Sequence, residues 1–165
     1  MPRHGSAAEI AIEPAEPGDA EAILALQRLA YRSEAALYDD YSIPPLTETL
    51  AQLRAVFDDH VVLRAMLGER LIGSVRARER GGICAIGRLI VHPELQGRGV
   101  GRRLMAEIEA RFPRARSFAL FTGDRSDRNL RLYEGLGYER RGSERQTERV
   151  TIVHLEKPGP GTSPG

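Results

Sequence analysis

Apolar positions recur along the chain with two different periods, and the alternation between them lays out the elements. Val61–Leu67 and Leu71–Arg78 alternate apolar and polar residues, as half-buried strands do, with a turn at Gly68-Glu69. Arg76 and Arg78 fall on the outer face of the second strand. Gly81-Gly82 marks the next hairpin. Ile83–Val91 is long and mostly apolar, the pattern of a central strand covered on both sides. Helical spacing appears at Ile23, Leu26 and Ala30, at Leu50, Leu53 and Phe57, and at Val100, Leu104, Ile108 and Phe112. Asp19 and Thr47 are placed to cap the first two of these helices, and Pro113 stops the third. Residues 32–46, with Tyr38-Asp39-Asp40-Tyr41 and Pro44-Pro45, read mostly as loop. Glu9–Glu13, Phe118–Thr122, a run opening at Tyr138 and Val150–Leu155 complete the strands. Ser126 caps a last helix that reaches Leu136, where Gly137 supplies a left-handed stop. The predicted order is β-α-α-β-β-β-α-β-α-β-β. Its Ile83–Val91, helix, Phe118–Thr122 step is a parallel βαβ unit, so the expected fold is α/β, a mixed sheet with helices on both faces.

Composition adds little beyond size and solubility. The 165 residues suit one domain, expected over 8–156, with disordered tails at 1–7 and 157–165 where Pro, Gly and Ser collect. A net charge of +1 argues for neither nucleic acid nor membrane as partner. No run is long enough to cross a bilayer, and the N-terminus lacks the apolar stretch of a signal peptide, so the expected location is cytoplasmic. Cys84, alone in an apolar run, cannot form an intramolecular disulfide and reads as a small buried hydrophobe. His60, His92 and His154 have no metal-ligand spacing and read as structural. No metal is expected.

Candidate chemistry begins after the long strand. His92-Pro93 ends it, and Gln96-Gly97-Arg98-Gly99-Val100-Gly101 bridges to the next helix. Glycines here leave backbone N–H groups free to converge on one concavity. The unpaired N–H groups and positive dipole of the helix start add to it, and Arg98, Arg102 and Arg103 surround it with charge. Such a loop suits a phosphate. A P-loop would need Gly-Lys-Ser/Thr at the helix start, where Val100-Gly101-Arg102-Arg103 stands. A dinucleotide fingerprint GxGxxG ends on Arg102 counted from Gly97, and on Leu104 counted from Gly99.

The loop, its run-in Leu89-Ile90-Val91-His92-Pro93-Glu94-Leu95, and the later Leu132-Tyr133-Glu134-Gly135-Leu136-Gly137-Tyr138 together resemble the GNAT superfamily of N-acetyltransferases. The loop is similar to the superfamily's [Gln/Arg]-x-x-Gly-x-[Gly/Ala] signature. The second segment is similar to its Leu-Tyr-x-x-Leu-Gly-Phe/Tyr helix end. The likeness covers roughly residues 8–156 and is most specific over 86–138. It implies the acyl-CoA N-acyltransferase fold, a mixed and mostly antiparallel sheet, with acetyl-CoA as cosubstrate.

By that resemblance, the pyrophosphate would rest on Gln96, Gly97, Arg98, Gly99, Val100, Gly101 and Arg102. Pantetheine would pair with the backbone of Leu89, Ile90 and Val91, and an N–H near Val91 would polarise the thioester carbonyl. Ser126 stands where many members carry Asn, so Ser126 and Asn129 are both candidates for the contact from the last helix. Tyr133 matches the general acid. The implied reaction is direct attack by a primary amine, from a small molecule or a peptide, within a ternary complex; a homodimer is one assembly the resemblance allows. Glu34, Asp39 and Asp40 are candidate bases, although solvated loop acids are the simpler reading of all three. Specificity is expected in residues 31–46. A non-catalytic acyl-CoA-binding module on the same fold is the alternative, and a nucleotide-binding domain the third option.

Overall fold

Turn chemistry sets the first half of the sheet. The computed structural model describes residues 9–161; the expectations for residues 1–8 and 162–165 lie outside them. Strand β1 (Ile10–Pro14) ends on its proline. β2 (Val61–Leu67), β3 (Arg70–Arg80) and β4 (Ile83–Val91) follow as a meander. Its two turns sit on Gly68, Gly81 and Gly82, all left-handed. β5 (Ser117–Gly123), β6 (Glu139–Arg145) and β7 (Thr151–Pro158) complete a seven-stranded sheet in the order β1-β2-β3-β4-β5-β7-β6. Every neighbouring pair is antiparallel except β4 with β5. That parallel pair and the mixed sheet are as the sequence pattern predicts.

Helices cover both faces. On one side lie α5 (Val100–Ala110) and α6 (Asp127–Gly135). Leu104, Met105 and Ile108 of α5 pack with Val75, Phe118 and Leu155 from the sheet, and Leu130 and Tyr133 of α6 join them. On the other side α1 (Ala20–Ala30) packs Ile23 and Leu26 on Val62 and Ile90, with Leu53 of α4 (Leu50–Val56) alongside. Cys84 is fully buried, and burial pushes its thiol up to about 12, so it behaves as a small hydrophobe.

Two features of β4 create the site. Its pairing with β5 lasts only from Ile83↔Ser117 to Ala85↔Ala119. Beyond Ala85 the two strands part. In the same stretch Arg76↔Gly87 and Ser74↔Ile90 are partners, so Arg88 and Leu89 together oppose Val75. This is a β-bulge, and Arg88 takes a φ of 50° to make it. The extra residue inverts the alternation. Cys84 and Ile86 face the α5 core, whereas Ile90, of the same parity, faces α1 and α4.

The structure corrects the sequence reading in several places. Residues 32–46 are not mostly loop. They hold α2 (Arg32–Tyr38), closed by left-handed Asp39, and a single turn α3 (Pro44–Thr47). Thr49, not Thr47, caps α4, accepting from Gln52 N at 3.1 Å. Asp19 does not cap α1 through its side chain; it receives Glu16 N at 2.8 Å and binds Arg64. Arg76 is not on an open face, since it lies in a buried ion pair with Glu48. The last strand continues to Pro158, and Gly159 and Gly161 donate to Arg116 O and Ala115 O. Residues 157–161 are therefore ordered against the start of β5 and the two residues before it, whose carbonyls are partners that the composition of this segment could not reveal.

Candidate active site

The glycine loop reaches its shape through two residues that only glycine occupies without strain. Gly97 and Gly99 have φ of 78° and 82°. Gly99 is the N-cap of α5, and its carbonyl already accepts from Arg103 N at 3.0 Å. The N–H groups of Val100, Gly101 and Arg102 precede the first intrahelical bond, so they are free for an outside acceptor. Any Cβ on Gly97 or Gly99 would meet nothing within 4 Å, and one on Gly101 only side-chain carbons at 3.6 Å or more. The space in front of these N–H groups is open. Leu89, Ile90, Val91, Gln96, Gly97, Gly99, Val100, Gly101, Arg102, Ser126 and Asn129 all line one groove of about 740 Å³ running from this loop to the gap between β4 and β5. Arg98 is exposed on the loop and is the one predicted cofactor residue not brought into that lining. Gln96 is held by a contact from Arg128 and reaches back toward Val91 O.

At the gap the groove meets a second cavity of about 250 Å³. Tyr133 stands there, 7% exposed, with its ring edge-on to Tyr138 at 6.1 Å between centroids. Burial raises its pKa, with the nearby Glu34 carboxylate adding to the effect, so the phenol stays protonated. Glu34 of α2 lines both the groove and the cavity. Burial raises its pKa too, against a 3.0 Å hydrogen bond donated by Ser126 Oγ. Ser126 is the N-cap of α6 by position, but its hydroxyl serves Glu34 instead of the helix.

What brings α2 here is Tyr38, whose hydroxyl donates to Asp124 at 2.8 Å and accepts from Arg125 N at 2.7 Å. A side chain on Gly123 would run into that hydroxyl and stand 2.8 Å from Glu34 Oε1, so α2 closes over β5 only because residue 123 has none.

The sequence profile of the acetyltransferase (GNAT) domain matches residues 43–158. The chain belongs to the GNAT acetyltransferase family. No curated protein matches it in sequence. Solved structures similar to this GNAT chain include the ribosomal-protein-S18-alanine N-acetyltransferase of Escherichia coli. It is 15% identical, with a TM-score of 0.75, covering 90% of this chain and 93% of that one. Another is the PaiA N-acetyltransferase of Thermoplasma acidophilum in complex with coenzyme A, at 18% identity and a TM-score of 0.75, covering 90% and 98%. A third is a phosphinothricin acetyltransferase of Sinorhizobium meliloti in complex with acetyl-CoA, at 19% identity and a TM-score of 0.73, covering 95% and 94%. These likenesses establish the acyl-CoA N-acyltransferase fold, with acetyl-CoA as the family's cosubstrate. The open glycine cradle and the parted strands fit it, the first for a pyrophosphate and the second for pantetheine. No described helix of this GNAT chain is long and apolar enough to cross a membrane.

The walls of the 250 Å³ cavity correct one expectation and extend another. The segment 31–46 does supply part of the wall, through Tyr31, Glu34, Tyr38, Ile43 and Pro45. Asp39 and Asp40 do not take part. Asp39 pairs with Arg149 at 3.1 Å on the surface, and Asp40 accepts from Ser42 and Thr147. His60 reaches the cavity rim beside Asp59, while His92 caps Glu94 N and His154 pairs with Glu144. Sequence reasoning had no role for Arg88, which lines the cavity with Arg76. Its signal was a charged residue inside an otherwise apolar central strand.

Proposed function

We propose that this protein is an N-acetyltransferase that moves the acetyl group of acetyl-CoA to a primary amine by direct attack, with both substrates bound at once. The carrying observation is the junction itself. The groove that begins at the glycine loop opens, where β4 and β5 part, onto a separate cavity that holds a protonated phenol and a carboxylate. Acetyl-CoA supplies an activated acyl thioester. The backbone N–H groups of the α5 start hold its pyrophosphate, and the free edge of β4 at Leu89–Val91 aligns its pantetheine arm.

Glu34 is assigned the general base, directly or through one water. An amine of ordinary pKa arrives protonated, and its lone pair is needed for attack. Glu34 takes that proton, and its raised pKa makes it a better acceptor than a solvated carboxylate. The N–C bond forms as the C–S bond breaks. Tyr133 donates to the departing sulfur, and its proton is replaced from the second one lost by nitrogen. A non-enzymatic acyl-CoA sensor would have no use for this pair. The test is thiol release from acetyl-CoA across a panel of amines. Turnover with at least one amine, lost on replacing Tyr133 by Phe, is expected. Tight coenzyme A binding with no thiol release from any amine would make the chain a binding module instead.

A further inference from the structure

The second cavity carries a charge that the protein itself answers only in part. Glu48 lies under β3 and β4 with its carboxylate 9% exposed. Arg76 takes both of its oxygens in a fork, Nη1 to Oε1 at 3.2 Å and Nη2 to Oε2 at 3.0 Å, and Gln27 Nε2 adds a third bond to Oε1 at 2.9 Å. Burial alone would raise the Glu48 pKa, but the bonds from Arg76 and Gln27 hold it below the usual range, so it is ionised. Arg88 arrives on the same carboxylate second. Its Nε is 3.7 Å from Glu48 Oε1, too far for a hydrogen bond, and that buried nitrogen has no partner. Among the described residues no hydrogen bond reaches the Arg88 guanidinium at all. Two guanidiniums thus share one carboxylate, and the one with open donors is 18% exposed at the cavity wall.

A largely buried guanidinium with no hydrogen bond and only a shared counter-charge is costly, and the bulge holds this one in place by giving Arg88 a left-handed backbone that non-glycine residues seldom adopt. The geometry points to an acceptor that carries its own carboxylate, bound by Arg88: an amino carboxylic acid with an apolar body. A single negative charge balances the excess of one among Arg76, Arg88 and Glu48, whereas a dianionic phosphate would leave that cluster with a net negative charge. The apolar body follows from the rest of the lining, to which Ile43, Phe121, Val150 and Ile152 contribute. With the carboxylate on Arg88, the amine is left to Glu34 and Tyr133, which line the same cavity.

This assignment rests on the acetyltransferase reading for its reaction but not for its binding, so two measurements separate them. In the first, thiol release is followed with apolar L-amino acids such as leucine and phenylalanine, each against its own carboxamide. The acid is expected to have the higher kcat/KM, by roughly 10- to 100-fold, the worth of a hydrogen bond to a charged group. Arg88→Gln should collapse that ratio toward one, and Arg88→Lys should restore part of it. The wild-type ratio alone decides the matter if the variants do not fold. In the second, 3-phenylpropionate, which has the carboxylate and no amine, is titrated calorimetrically into the coenzyme A complex, and Arg88→Gln should weaken its binding by a similar factor. Amides used as well as acids overturn the carboxylate site and leave the acetyltransferase standing. Carboxylate binding that depends on Arg88, without thiol release from any amine, upholds the site and overturns the reaction. Absence of both an acid preference and 3-phenylpropionate binding refutes the assignment outright.

Discussion

Tyr133→Phe separates a catalytic hydroxyl from a packing ring at one position. The phenyl ring keeps the edge-on contact with Tyr138 at 6.1 Å and the burial of a residue only 7% exposed. Among the described residues no hydrogen bond is made to the hydroxyl, and the residue lines the cavity. Its removal therefore orphans no buried partner, and the stability cost should stay under about 1 kcal/mol. Deleting the ring is a different perturbation: Tyr133→Ala should cost about 3–5 kcal/mol through the void it leaves. Catalysis should respond in the opposite order of subtlety. General acid help is worth ~10²–10⁴-fold, or about 2.7–5.5 kcal/mol of barrier. Burial raises the phenol's pKa, so the proton is always in place but is released reluctantly. A thiol is the stronger acid, near 8.5 against about 10 for a free phenol, so most of the benefit arises as a hydrogen bond to the leaving sulfur. The assay is single-turnover thiol release at saturating acetyl-CoA, alongside coenzyme A titration and thermal unfolding. The expected result is a large fall in rate with affinity and melting temperature nearly unchanged. A variant that melts with the wild type and turns over within about threefold of it would remove Tyr133 from the chemistry and leave it a core residue.

Gly99→Val should weaken coenzyme A binding severely in a protein that still folds, because φ of 82° is strained for a β-branched residue and the loop lies at the surface; unchanged affinity by titration would dismiss the pyrophosphate cradle. Glu34→Gln should lower kcat and erase the acid limb of its pH profile. Ionised Glu34 is the active form and its pKa is raised, so wild-type activity should climb with pH through a value above the usual carboxylate range, and a limb that survives in the variant belongs to another group. Gly123→Ala should push Tyr38 and Glu34 away from β5, so kcat should drop with coenzyme A affinity largely kept; full activity would mean that α2 gives way without cost. Asp39→Asn with Asp40→Asn should leave the acceptor KM unchanged, since neither side chain reaches the cavity; a rise in that KM would return specificity to these acids.

Local chemistry along the chain was enough to determine most of the elements and the backbone shape of the glycine loop. Glycines at 97 and 99 must sit where φ is positive, and a helix that starts on them presents free N–H groups whatever surrounds it. The strand Ile83–Val91 and the helix carrying Tyr133, stopped by left-handed Gly137, are legible for the same reason: each depends on neighbours within a few residues, whereas the parallel step to β5 follows from the order of the elements. The limits appear where distant segments decide. Arg32–Tyr38 looked like loop because Asp39, Asp40 and two prolines follow it, yet packing of Ala35 and Tyr38 against Val150 and Ile152, at the entry to β7, pays for the helix. Glu34 was one acid among three until Ser126, more than ninety residues away, met it across the groove. Most of all, the bulge at Arg88 is invisible to any count of alternating positions, since one inserted residue inverts which face the rest of the strand presents. Register between β3 and β4 set that inversion, and with it the buried guanidinium on which acceptor choice is proposed to turn.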